Sequence, residues 1–207
     1  MDSVGRDFAQ ILESLRVEAR KGDMTIDTAV YEEAELDPCE PVLLGSGSIE
    51  ARVGIFGRDP GRNEVLQREP FIGKGGQLIR NALGDDVVFW ANTVPYKPLG
   101  NKAWSVKVKR RFLPMIRDYL VHVWTGDQLI TCGNVAFEWF GLADPSLKPL
   151  LKQYWMRADR YEANLVVELD GKPITLLPLP HPSPLNARWY PLFPALIRAR
   201  LQLLRGT

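Results

Sequence analysis

Short apolar runs alternate with helix-like stretches along most of this chain, and that alternation restricts the fold more than any other feature. Residues 52–56, 87–91 and 128–131 read as buried strands, and 164–169 with 173–178 read as a hairpin turning at Asp170-Gly171. Helical spacing marks 4–20, where Phe8, Ile11, Leu12 and Leu15 form one apolar stripe, and again 75–83, 134–140 and 192–204. Ser105 caps a further helix reaching toward Leu120, with Pro114 expected to kink or break it. Residues 21–50 hold Pro38, Pro41 and the 45–48 GSGS run, so 1–50 is expected to be one helix and a loop-rich lead-in. Residues 58–73 are expected to be a long loop. The pattern predicts an α/β protein built on a layered sheet.

Size and composition narrow the class. At 207 residues the expectation is a single domain over 1–207. Hydrophobic residues at 45% and charged ones at 25% exclude a disordered chain. With 26 Lys+Arg against 25 Asp+Glu the formal charge is +1, so bulk charge alone does not point to nucleic acid. Acids gather between Asp27 and Glu40, and bases at 102–111 and 188–205, which ordinarily are solvated faces. No run approaches the roughly 18 apolar residues of a membrane span. The first residues carry acids and lack an apolar core of the signal-peptide kind, so a cytoplasmic protein with no membrane partner is expected. Cys39 and Cys132 are far apart and belong to no CxxC pair, so no structural zinc or iron–sulfur cluster is expected.

Polar residues collect where strands end. Gly57-Arg58-Asp59-Pro60-Gly61 leaves the first strand, with Pro70-Phe71-Ile72-Gly73-Lys74-Gly75-Gly76 beyond it. Ala91-Asn92-Thr93-Val94-Pro95 leaves the second, and His181-Pro182-Ser183-Pro184-Leu185-Asn186 follows the last. Ligand sites of open α/β sheets form in such loops. Singly, each has a bland explanation: Asp-Pro is a common turn, Asn92 closes a loop, and His181 is a structural hydrogen-bonder. The 73–76 GKGG run lacks the GxxxxGK(S/T) spacing and does not follow a strand directly, which speaks against a nucleotide hydrolase.

Together these segments resemble the uracil-DNA glycosylase superfamily, in the right order over about residues 52–190. GRDPG (57–61) looks like its first motif and HPSPLN (181–186) like its leucine-loop motif. PFIGKGGQLI (70–79) and ANTVPYKPLGN (91–101) are similar to segments of the thermophilic, iron–sulfur-bearing branch, whose clustered cysteines this chain lacks. The resemblance implies a three-layer α/β/α sandwich around a mostly parallel four-stranded sheet. It also implies a monomeric enzyme that needs no cofactor or metal, acts on DNA containing uracil or another deaminated base, and leaves an abasic site for base excision repair.

It implies roles as well. Asp59 would position water and face the cationic sugar, and His181 would donate to the base oxygen where charge develops. The Asn92 amide matches the N3–H and O4 edge of uracil and rejects the reversed pattern of cytosine. Phe71 would stack on the everted base, with Gly57, Arg58 and Gly61 completing the pocket. Leu185 would fill the vacated stack. Ser183 would bind phosphate through its hydroxyl and N–H, on a loop stiffened by Pro182 and Pro184. Lys74, Lys97 and Arg188 would neutralise phosphates.

Two positions depart from the superfamily's best-known patterns. Arg58 stands where related branches carry Gln, Glu, Met, Ile or Leu, and either reaches a phosphate or pairs with Asp59. Gly61 replaces the Tyr that blocks the thymine methyl, although the thermophilic branch has Gly there too and remains a uracil enzyme. The resemblance therefore implies uracil first, with hypoxanthine, xanthine and mismatched thymine open as further substrates. The competing readings are a non-catalytic binding member of the same fold and an unrelated α/β enzyme holding phosphate at 73–76.

Overall fold

Adjacent residues of each central strand face opposite ways, and here both faces are apolar, so both must be covered. A computed structural model describes residues 7–205 and shows how. In β1 (Val53–Gly57) Phe56 enters one core and Ile55 the other. The same split separates Phe89 from Trp90 in β2 (Phe89–Asn92), and Leu129 from Ile130 in β3 (Gln128–Cys132). Beyond the hairpin strand β4 (Leu165–Leu169), it separates Leu176 from Leu177 in β5 (Lys172–Leu179). Fully burying a side chain of this size contributes roughly 1.5–3 kcal/mol, so these strands hold both layers in place.

The first core takes α1 (Phe8–Arg20), α5 (Val106–Asp118), α6 (Asn134–Glu138), α7 (Phe140–Ala143) and α8 (Lys148–Trp155). The second takes α4 (Lys74–Leu83) and α9 (Phe193–Arg205). Two short helices, α2 (Thr28–Glu33) and α3 (Arg62–Gln67), form a third cluster through Val30, Tyr31, Val42 and Val65. Asp7 caps α1 by accepting the Gln10 N–H at 2.8 Å, so the helix begins at Phe8. Residues 4–6 of the expected helix lie outside the described residues. Among the described residues no helix is long and apolar enough to cross a membrane.

The sheet order is β2-β1-β3-β5-β4. Four strands are parallel, and β4 runs antiparallel against β5 across the Asp170-Gly171 turn, both of whose residues have positive φ (49° and 83°). The expected four-stranded sheet is therefore five-stranded, the hairpin partner adding an antiparallel edge. After β1 the chain crosses to α4 on one face; after its neighbour β3 it crosses to α6 on the other. A crevice opens between strands that diverge this way.

Two local expectations change. Pro114 lies inside α5 and does not break it, since the helix runs on to Asp118. Its missing N–H orphans the carbonyl four residues back, at Arg110, an exposed position where water is the natural partner. The expected loop at 58–73 contains α3, whose first turn is closed by Glu64 accepting the Gly61 N–H.

Candidate active site

The four parallel strands deliver one cleft. It has a volume of about 350 Å3 and is lined by Gly57–Gly61 beyond β1, Asn92 at the end of β2, Cys132 at the end of β3 and His181–Pro184 beyond β5. Phe71, Lys74 and the glycines around it supply the remaining wall. The volume falls within the roughly 300–1,000 Å3 usual for small-ligand sites. Asp59, Asn92, Phe71 and His181, separated by up to 122 positions in the chain, face the same space.

Parallel pairing carries the first two segments into register. Gly57 is the Cα partner of Asn92, and past the strands the Thr93 N–H donates to the Gly57 carbonyl at 3.0 Å. The Arg58 carbonyl accepts from the Val94 N–H and the Thr93 hydroxyl, at 3.3 and 2.5 Å. Asn92 is thereby buried beside the first motif. Gly57 is required here by close approach: a Cβ would sit 2.5 Å from Asn92 Oδ1 and 2.7 Å from Phe71 Cζ. Phe71 itself has φ of 53°, an uncommon conformation for a non-glycine residue. Its carbonyl accepts from Arg80 Nε at 3.2 Å, its N–H is held by the Glu64 carboxylate, and its ring lies 5.0 Å from that of Trp90.

The 73–76 run makes a wall. A Cβ at Gly75 would fall 1.6 Å from the Pro182 carbonyl oxygen, so this glycine lets the start of α4 lie against the 181–186 loop. Inside that loop the Ser183 N–H donates to the His181 carbonyl at 2.9 Å, and Asn186 Nδ2 donates to the same oxygen at 3.3 Å. Ser183 Oγ accepts the Leu185 N–H at 3.2 Å. This corrects one expectation: the Ser183 N–H is already committed, and only the hydroxyl can donate outward. Pro182 is buried and Pro184 exposed. Leu185 projects with 96% of its surface exposed, at the tip of a loop that is otherwise internally bonded.

Asp59 lines the cleft as an enclosed charge. Its side chain is only 1% exposed, and the Arg58 guanidinium covers it, Nε reaching Oδ2 at 2.8 Å and Oδ1 closer still. Arg58 is also tethered through Nη2 to the Asn101 carbonyl at 3.2 Å. Burial raises the Asp59 pKa above the ordinary carboxylate value, against the opposing pull of Arg58, Lys97 and Lys109. Glu64 is raised for the same reason, despite accepting from the Gly61 and Phe71 N–H groups. His181 is lowered by the protein packed around it and by the nearby Arg58, although the residue keeps an exposed edge at the cleft mouth. Its neutral form, able to donate one hydrogen bond, is the one favoured.

The three expected phosphate cations separate. Lys74 is exposed on the cleft wall. Arg188 is exposed but away from the cleft lining, its guanidinium lying 4.9 Å from the Trp189 ring centre. The expectation for Lys97 is overturned. It is 2% exposed, its Nζ bonded to the Pro98 carbonyl at 2.6 Å and paired with Asp27 at 3.3 Å, so it anchors the lead-in and cannot reach solvent. Sequence reasoning missed Glu64 and Arg80, which hold the Phe71 backbone, and Asn101, which tethers Arg58. The Glu64 signal was present as a glutamate three residues after the Gly61 cap.

A comparison with curated proteins finds no match. Residues 44–205 match the family model described as Uracil DNA glycosylase superfamily, from just before β1 to the end of α9. The chain belongs to the uracil DNA glycosylase superfamily.

Proposed function

We propose that this cleft hydrolyses the N-glycosidic bond of a base everted from DNA, with uracil the first substrate, and leaves an abasic site. The observation that carries the reading is the convergence of Asp59, Asn92, Phe71 and His181 on one cleft at the carboxyl ends of the parallel strands. The base lies against Phe71, and the Asn92 amide bonds its N3–H and O4 edge. Neutral His181 donates to the oxygen on which negative charge grows as the bond breaks. Asp59 orients the attacking water and offsets the positive charge of the sugar. Leu185 takes the place of the everted base in the stack, and Lys74 and the Ser183 hydroxyl meet flanking phosphates. The chemistry calls for no metal, no nucleotide cofactor and no covalent enzyme intermediate, and the protein acts as a monomer.

A second reading, a non-catalytic member that only binds nucleic acid, draws support from the enclosure of Asp59 by Arg58. One experiment separates the two. Single- and double-stranded oligonucleotides carrying one uracil, hypoxanthine, xanthine or G·T mismatch are incubated with the protein, then treated with alkali to cleave abasic sites. The proposal expects uracil release that is lost in Asp59→Ala and His181→Ala. Binding without release from any of the four substrates would establish the second reading instead.

A further inference from the structure

We propose that Arg58 is a phosphate-operated latch on Asp59: its guanidinium holds the carboxylate in the free protein, then moves to a backbone phosphate of bound DNA and frees it. The inference rests on the glycosylase reading of the cleft. The Arg58 Nε–H is shared between both Asp59 oxygens, and a carboxylate covered this way, with 1% of its side chain exposed, leaves a water no approach to the lone pairs that would take its proton. As the free protein stands, Asp59 lines the cleft but is 1% exposed, so one of the two partners must move before a water can be activated.

The surroundings decide which one. The backbone around Asp59 is fixed on both sides, by the Thr93 and Val94 bonds to the Gly57 and Arg58 carbonyls and by Pro60 after it. Arg58 is 30% exposed, and beyond Asp59 its described anchor is the Asn101 carbonyl at 3.2 Å, on an exposed turn. A guanidinium fork suits phosphate as well as carboxylate, so the exchange replaces one charge-assisted pair with another. Lys97 and Lys109 still face Asp59 after Arg58 has gone and favour its ionised form, while Glu64 opposes it. Lys97 cannot follow Arg58 to the phosphate, being held by Asp27 and the Pro98 carbonyl. His181, beside Arg58, loses a neighbouring positive charge in the same step, but burial, the larger cause of its lowered pKa, continues to favour the neutral form. Without DNA the carboxylate stays covered.

The test compares the intact protein with Arg58→Met and, as a second variant that keeps a polar side chain, Arg58→Gln. Two readouts are taken: the pH profiles of kcat and kcat/KM on a uracil-containing oligonucleotide, and the salt dependence of binding to a duplex carrying hydrolysis-resistant 2′-fluoro-deoxyuridine. The profile of kcat/KM reports the free enzyme and that of kcat the complex. The latch predicts that both variants move the acid limb of kcat/KM to higher pH, since Asp59 has lost its pairing cation, and leave the acid limb of kcat in place. It also predicts that the slope of log K against log salt becomes shallower by about 0.9, one phosphate contact. Acid limbs that move together with an unchanged salt slope would overturn it, because Arg58 would then remain on Asp59 throughout. If the intact protein releases no base, the glycosylase reading fails separately. The salt slope alone then decides whether Arg58 meets phosphate, a shallower slope supporting the transfer and an unchanged one refuting it.

Discussion

Replacing Gly57 with alanine tests the geometry of the cleft at its tightest point. The added Cβ would lie 2.5 Å from Asn92 Oδ1 and 2.7 Å from Phe71 Cζ, where ordinary contact begins near 3.4 Å. The Asn92 amide and the Phe71 ring must therefore retreat by about 0.9 and 0.7 Å, or the backbone must shift. Neither yields easily: Asn92 is buried at the end of β2, and Phe71 is wedged against Trp90 with its carbonyl on Arg80. Overpacking of this kind costs about 1–3 kcal/mol. For a protein of this size that lowers Tm by roughly 2–4 °C per kcal/mol. A displacement near 1 Å of groups that position a reacting base costs on the order of 10²-fold in rate. Base-release kinetics and a thermal melt on the same sample read both. Activity within a few-fold of the intact protein, with Asn92 and Phe71 unmoved, would refute the claim that these two side chains meet over Gly57.

Three further outcomes are expected from the same packing. Leu185→Ala leaves stability within about 0.5 kcal/mol, because the side chain is 96% exposed, but lowers release from duplex more than from single-stranded DNA; equal loss on both would remove its wedge role. Lys97→Met strips Asp27 of its buried partner and destabilises by about 3–5 kcal/mol in denaturant melts, while the salt slope of DNA binding stays unchanged. Asp59→Asn changes how stability varies with pH. The folded-state pKa of Asp59 is raised, so its contribution is fully present below the ordinary value of 3.8 and is lost as pH rises through the folded value. The variant therefore gains stability relative to the intact protein as pH climbs through that window, and a variant that loses ground over the same range would contradict the burial argument.

Much of this was legible from the chain. The apolar runs located the strands because fully buried strands have few other ways to look, and Asp170-Gly171 marked the hairpin. The loops after the strands held the cleft residues because the parallel topology gathers strand ends, which made Asp59, Asn92 and His181 findable from motif and order. What escaped depends on packing. The helix Arg62–Gln67 has a single fully buried residue, Val65, and shows no stripe. Lys97 reads as any surface lysine until Asp27 and Tyr31 fold over it from the lead-in. Arg58 had two partners available to it, and the fold brings it to the carboxylate. Arg80 supports Phe71 from nine residues away, through a backbone carbonyl that no pattern advertises.

The most direct measurement is a structure of Asp59→Asn bound to a duplex containing one deoxyuridine. The account predicts the uracil out of the helix and lying on Phe71, its N3–H and O4 edge on the Asn92 amide and its other oxygen at His181, with Leu185 in the gap it left. A uracil still stacked in the duplex, or everted to any place other than this cleft, would contradict it.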